Sequence, residues 1–192
     1  MPPKVKISKD QIVDAALEMV RGDGKLTLNA RSLASALGCS TQPIFSNFEN
    51  METLRESVMA RAYKSYLSFI EREVATEKYP PYKAFGMAYI RFAKEEKGLF
   101  KLLFMRDRTG EDLSPAPDFE ASVHMIMDAN GFSKETAMRM HMEMWVCVHG
   151  IAVMHATSFL SVDEELVSGM ITDVYQGVRE RLSKEEKSDV CN

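Results

Sequence analysis

The chain carries four histidines, His124, His141, His149 and His155, and three cysteines, Cys39, Cys147 and Cys191. No two histidines stand at i, i+4, no HExxH occurs, and no cysteines pair as CxxC. The spacing therefore supplies neither a zinc ligand set nor a disulfide framework. A nucleophile elbow, a phosphate-cradling glycine loop and paired catalytic carboxylates are likewise missing. The expectation is a protein that is not an enzyme and has no metal and no cofactor. The side chains that remain conspicuous are soft and apolar. Of 14 methionines, ten fall between residues 80 and 183, among them Met125 and Met142. Thioethers adapt to irregular cavities, and with Phe85, Tyr89, Phe92, Phe100, Phe104 and Trp145 they can line an apolar ligand pocket or simply fill a helical core. His149 can hydrogen-bond a ligand there or be satisfied within that core.

The elements that must position these groups are bounded by composition. At 192 residues, with 45% hydrophobic and 27% charged residues, the chain suits one compact domain, or a small module fused to a larger one. Disorder and fibrous repeats are excluded. A net charge of −4 argues, taken whole, against nucleic-acid binding, because phosphate contacts need clustered cations. The charges are not uniform, however. Residues 1–50 hold six cations against five acids, net +1, and residues 51–192 hold 18 against 23, net −5. Met144 to Val162, 19 residues, contains no Asp, Glu, Lys or Arg. His149, Gly150, His155, Thr157, Ser158 and Ser161 dilute its hydrophobicity, so a buried helix is expected rather than a membrane span. The N-terminus has no apolar signal core, and a cytoplasmic location is expected.

Periodicity is helical throughout. Ser8 and Gln11 form a capping-box pattern before a helix bearing Ile12, Val13, Ala16, Leu17 and Val20. Asn29 or Thr27 caps a second helix, which Gly38 stops. Ser40 restarts a short one, with Pro43 tolerated in its first turn. Asn50 caps a long helix reaching about Thr76. Beyond Tyr79-Pro80-Pro81 the pattern predicts helices around Phe85–Phe92, Leu99–Met105 and Phe119–Asn130. A loop occupies Asp107–Asp118. Ser133 opens a helix to about Leu160, and a capping box at Ser161–Glu164 opens a last one to about Leu182. No segment alternates with period two. The fold class is all-α, about nine helices, with an N-terminal three-helix helix-turn-helix domain joined to a helical ligand-binding and dimerisation domain. The expected division is 1–50, a connecting helix at 51–79, a sensing and dimerisation module at 80–183, and a frayed polar tail at 184–192.

The run Ile12-Val13-Asp14-Ala15-Ala16-Leu17, then Leu28, Ser32 to Ser40, Pro43-Ile44-Phe45-Ser46-Asn47-Phe48 and Glu52-Thr53-Leu54 resembles the DNA-binding domain of the TetR family of transcriptional regulators. The resemblance covers about residues 8–60. It implies that the helix near Ser40 enters the major groove of double-stranded operator DNA, with Thr41, Gln42 and Pro43 at base edges. Gln can bond N6 and N7 of adenine, and Thr or Pro can touch a thymine methyl. Thr27, Arg31, Ser46 and Asn47 are further contact candidates, and Lys4 and Lys6 form a basic arm beside the backbone. Two departures stand out. Phe45 replaces the family's usual tyrosine, keeping its packing but losing a phosphate hydrogen bond. Met51 replaces a common lysine. Each loss is worth about 1 kcal/mol of DNA binding.

Trp145-Val146-Cys147-Val148-His149-Gly150, with Tyr89 to Ala93 and Leu99 to Phe104, resembles the Trp–His–Gly subgroup of TetR C-terminal domains. The family arrangement implies an unidentified apolar small-molecule effector and a homodimer built from the last two helices. The dimer candidates are Ile151, Met154, His155, Val167, Met170, Ile171, Val174, Tyr175 and Val178. Gly150, costly mid-helix, is expected to permit close helix approach. The function so implied is a ligand-responsive repressor binding a palindromic operator. The competing reading is a helical small-molecule-binding or partner-binding protein with weakened or lost DNA binding.

Overall fold

A computed structural model describes the backbone of residues 7–23, 28–107, 109 and 117–190. Its first helix, α1 (Lys9–Asp23), begins where the sequence pattern places it. The Ser8 N–H donates to Gln11 Oε1 at 2.9 Å and the Gln11 N–H to Ser8 Oγ at 3.2 Å, a closed capping box. Asn29 caps α2 (Ala30–Ala36), its Oδ1 accepting the Ser32 N–H at 2.8 Å; Thr27 lies outside the described residues. Gly38, at φ +63°, turns the chain through a left-handed conformation that a side chain would strain. The next helix, α3 (Gln42–Asn47), has Thr41 at its N-cap and starts later than Ser40. Asn50 Oδ1 then accepts the N–H groups of Glu52 and Thr53, opening α4 (Met51–Ala75).

The remaining helices are α5 (Pro81–Glu95), α6 (Lys97–Phe104), α7 (Pro117–Asn130), α8 (Lys134–Ala156) and α9 (Glu164–Val190). The all-α class with nine helices among the described residues agrees with the periodicity. Three details differ. First, α8 stops at Ala156 rather than Leu160: Ser158 takes φ +58°, and the Phe159 N–H folds back to the Met154 carbonyl at 3.1 Å. Second, the cap of α9 is Asp163, whose Oδ1 accepts the Leu166 N–H at 2.8 Å. Glu164 is drawn away to Lys78 and Arg91. Third, α9 runs past Leu182 to Val190 because its polar end is braced. Arg181 bonds Glu185 and Glu143, Arg139 bonds Glu185, and Glu186 accepts the Ser133 N–H.

The chain divides into two units. One comprises Met1–Ser68 and Glu95–Asp107, the other Phe69–Lys94 and Arg108–Asn192. In the first, Ile12, Ala16, Val20, Leu33, Ile44 and Leu54 form the core. There α6 packs on α1 so closely that a Cβ at Gly98 would lie 2.5 Å from the carbonyl oxygens of Val20 and Arg21. In the second, α7 and α9 both pack on α8, around Phe92, Ile126, Met140, Met144 and Ile171. No described helix is long and apolar enough to cross a membrane.

Candidate functional site

Within α3 the residues sort by face. Ile44 and Phe48 are 0% and 4% exposed and dock the helix into the first unit, whereas Gln42, Phe45 and Ser46 point to solvent. Thr41, Pro43, Asn47 and Met51 are half-buried, and Arg31 and Ser40 are exposed. Lys4 and Lys6 lie outside the described residues. Two polar side chains on α3 are turned to the protein itself. Ser46 Oγ donates to the Gln42 carbonyl at 2.9 Å, and the Asn47 amide donates to the Pro43 carbonyl at 2.8 Å and the Ile7 carbonyl at 3.4 Å. Phe45 does not keep its expected packing. It is 52% exposed, because Ile44 and Phe48 already occupy the inward positions. Sequence reasoning also missed the supports around this helix. Lys9 Nζ sits 5.0 Å from the Phe48 ring centroid, and Arg55 joins Glu52 to the Leu28 carbonyl. The Lys9–Phe48 and Leu28–Arg55 partners are too far apart in the chain to leave a local signal, unlike Glu52 and Arg55.

In the second unit the Tyr89 hydroxyl lies 2.8 Å from His149 Nδ1, and the Trp145 ring stacks on His149 at 4.9 Å and 14°. One turn separates Trp145 from His149 on α8, which is why they meet. A parallel pair, which the sequence pattern does not disclose, joins the Tyr82 hydroxyl to His141 Nδ1 at 3.0 Å, with the Phe119 ring edge-on at 4.7 Å between centroids to the same imidazole. Burial pushes both tyrosine hydroxyls well above their ordinary range and both imidazoles below theirs; Asp118 opposes the shift at His141. At neutral pH all four groups are uncharged, and either imidazole tautomer satisfies the bond.

The remaining pocket candidates occupy varied environments. Phe92 is fully buried, Phe85 and Met125 are half-buried, and Met142 and Trp145 are 50% and 42% exposed. Phe100 and Phe104 pack with Tyr66 in the first unit. A shallow concavity of about 440 Å³ lies elsewhere, between Ala129, Asn130, Arg179, Glu180, Ser183 and Lys184, and includes none of these candidates. Among the dimer candidates, Ile151, His155, Val167 and Ile171 are buried within the chain itself. Met154, Val174, Tyr175 and Val178 are half-buried, and the Tyr175 hydroxyl bonds Asn130. Met170 is exposed, as are Met138, Met142, Trp145, Val146 and Leu166. Gly150 meets nothing within 4 Å, so the close approach expected there is not made among the described residues. Among the described residues no cluster of three or more His, Cys, Asp or Glu is placed to hold a metal.

The glycine-turned pair α2–α3, with Gln42 outward, is a helix-turn-helix, and the described elements of the second unit are helices. Residues 82–174 match the family model described as "Tetracyclin repressor-like, C-terminal domain". The chain is similar over 93% of its length to the uncharacterised HTH-type transcriptional regulator Rv0681 of Mycobacterium tuberculosis, 22% identical and covering 84% of that protein. It is 21% identical to the HTH-type regulator YobS of Bacillus subtilis, over 88% of this chain and 90% of that one. A putative TetR-family regulator from Vibrio parahaemolyticus shares the fold, with a TM-score of 0.58, 17% identity, and coverage of 88% of this chain and 97% of that one. Residues 82–174 are thus similar to TetR-type C-terminal domains, and the chain as a whole is similar to helix-turn-helix transcriptional regulators.

Proposed function

We propose that this chain is a ligand-responsive transcriptional repressor that binds a palindromic operator as a homodimer. The observation that carries the reading is the two-faced α3. Ile44 and Phe48 lock the helix, and Gln42 stands outward beside the half-buried Thr41 and Pro43. A rigidly held helix presenting a glutamine suits base reading in a major groove. The basic arm with Lys4 and Lys6 adds phosphate contacts, and the half-buried Met51 adds none. Two copies joined through α8 and α9, which carry the exposed apolar side chains Met142, Val146, Leu166 and Met170, give the two-fold symmetry that a palindromic site requires.

The effector is an apolar small molecule bound in the sensing unit near Tyr89, Trp145 and His149, where three aromatic rings meet. It acts by favouring a conformation whose recognition helices are misplaced for successive major grooves. The coupling is then the difference in DNA affinity between the two conformations, about 1–3 kcal/mol. The α4 helix, which contributes residues to both units, transmits it. The test is selection of bound duplexes from a random pool by the full-length chain. Enrichment of a two-fold symmetric sequence supports the reading; an unenriched pool refutes it.

A further inference from the structure

The packing of α3 leaves the Phe45 ring half in solvent. Its neighbours Ile44 and Phe48 are buried, yet Phe45 is 52% exposed on a six-residue helix. Gln42 precedes it by three residues, so the two side chains share one helical face. The polar side chains beside them are already engaged: Ser46 Oγ bonds the Gln42 carbonyl, and the Asn47 amide bonds the Pro43 and Ile7 carbonyls. The largest outward group next to Gln42 is therefore a phenyl ring with neither donor nor acceptor.

A phenyl ring cannot hydrogen-bond a phosphate, and contact with sugars distinguishes no sequence. It gains free energy only where it covers apolar surface. The major groove edge of duplex DNA offers one apolar group, the 5-methyl of thymine. We infer that Phe45 is a specificity-determining residue that reads a thymine through its 5-methyl group, beside the adenine-reading amide of Gln42. The inference rests on the DNA-binding reading above and deepens it. It assigns Phe45 a sequence-selective role in place of a lost backbone contact. The preferred half-site then contains a thymine next to, or one step from, the pair contacted by Gln42.

The test uses the full-length chain and the duplex it selects from a random pool. Each thymine is replaced in turn by deoxyuridine, which lacks only the 5-methyl group. One thymine per half-site is expected to lose about fourfold in affinity, the worth of one buried methyl-sized group. The Phe45→Ala variant is expected to weaken binding to the thymine duplex and to bind the thymine and deoxyuridine duplexes equally. Phe45→Tyr, which keeps the ring, is expected to keep the discrimination. A far-ultraviolet spectrum matching wild type confirms that these half-exposed substitutions leave the fold in place. Thymine and deoxyuridine duplexes weakened equally by Phe45→Ala would overturn the inference and leave DNA binding standing. So would wild-type indifference to deoxyuridine at every position. Failure to select any duplex would defeat the DNA-binding reading itself, and this inference with it.

Discussion

The Glu73 carboxylate, 2% exposed, is held 2.7 Å from the Arg91 guanidinium, whose second nitrogen reaches Glu164 at 3.2 Å. Glu164 also takes the Lys78 ammonium at 2.7 Å and the Tyr79 hydroxyl at 3.1 Å. Within the second unit this links the end of α4 through α5 to the start of α9. A buried carboxylate is tolerated only while its counter-charge is present.

Removal of that counter-charge is expected to be costly. Arg91→Met should destabilise the protein by about 3 kcal/mol, because it strands the Glu73 charge. Glu73→Met combined with Arg91→Met should recover most of that loss. Urea unfolding of the two single variants and the double variant measures the coupling. Additive effects would show that the pair does not act as a unit.

The two tyrosine–histidine bonds predict a stability that falls on mild acidification. Burial holds His141 and His149 below their ordinary value of 6.5. As pH falls from about 6.5 the unfolded chain takes up protons that the native imidazoles refuse, so unfolding is favoured. The contribution is complete above that value and is lost progressively below it. Glu164, Glu185 and Glu186 are held below their ordinary 4.5 by their hydrogen-bond donors. Their contributions are lost at lower pH, which leaves the interval between about 6.5 and 5 to the histidines. Urea midpoints should decline across that interval in wild type and decline less in a His141→Gln, His149→Gln double variant. Tyr89→Phe should cost about 1 kcal/mol at neutral pH through the lost hydrogen bond.

Two glycines in the first unit should respond in opposite directions. An added methyl at Gly98 meets backbone carbonyls at 2.5 Å, which cannot rotate away, so Gly98→Ala should cost about 1–3 kcal/mol as α6 is pushed off α1. Gly22 lies in α1, where a methyl group would meet nothing within 4 Å. Gly22→Ala should therefore be neutral or stabilising by up to about 1 kcal/mol. Thermal melts of the two variants check both signs.

Local rules were legible in the sequence wherever both partners sit within one turn. The Ser8–Gln11 box, the Asn29 cap and the Gly38 turn are read directly because each is decided by residues three apart or fewer. The Ser161–Glu164 pattern failed because Glu164 has better partners in Lys78 and Arg91, more than 70 residues away. The polar end of α9 reads as frayed for the same reason. Its helical continuation depends on Arg139, Glu143 and Ser133 of a different element. The inward face of α3 followed from its apolar residues, but the exposure of Phe45 did not, since an aromatic among apolar neighbours reads as core. Of the candidate aromatics, Tyr89, Trp145 and His149 meet, while the Tyr82–His141 pair leaves no pattern because 59 residues separate its members.

On the proposed function, α3 reads operator bases, and equilibrium binding of the full-length chain to its selected duplex and to single-base variants across a salt series measures that reading. Gln42→Ala should change the preferred base at one position per half-site, by about 1–3 kcal/mol of discrimination, and leave the salt slope unchanged. Lys6→Ala should weaken binding to every duplex alike and reduce the slope by about one per subunit. Equal losses on all duplexes from both substitutions, or no duplex retained even at low salt, would contradict the account.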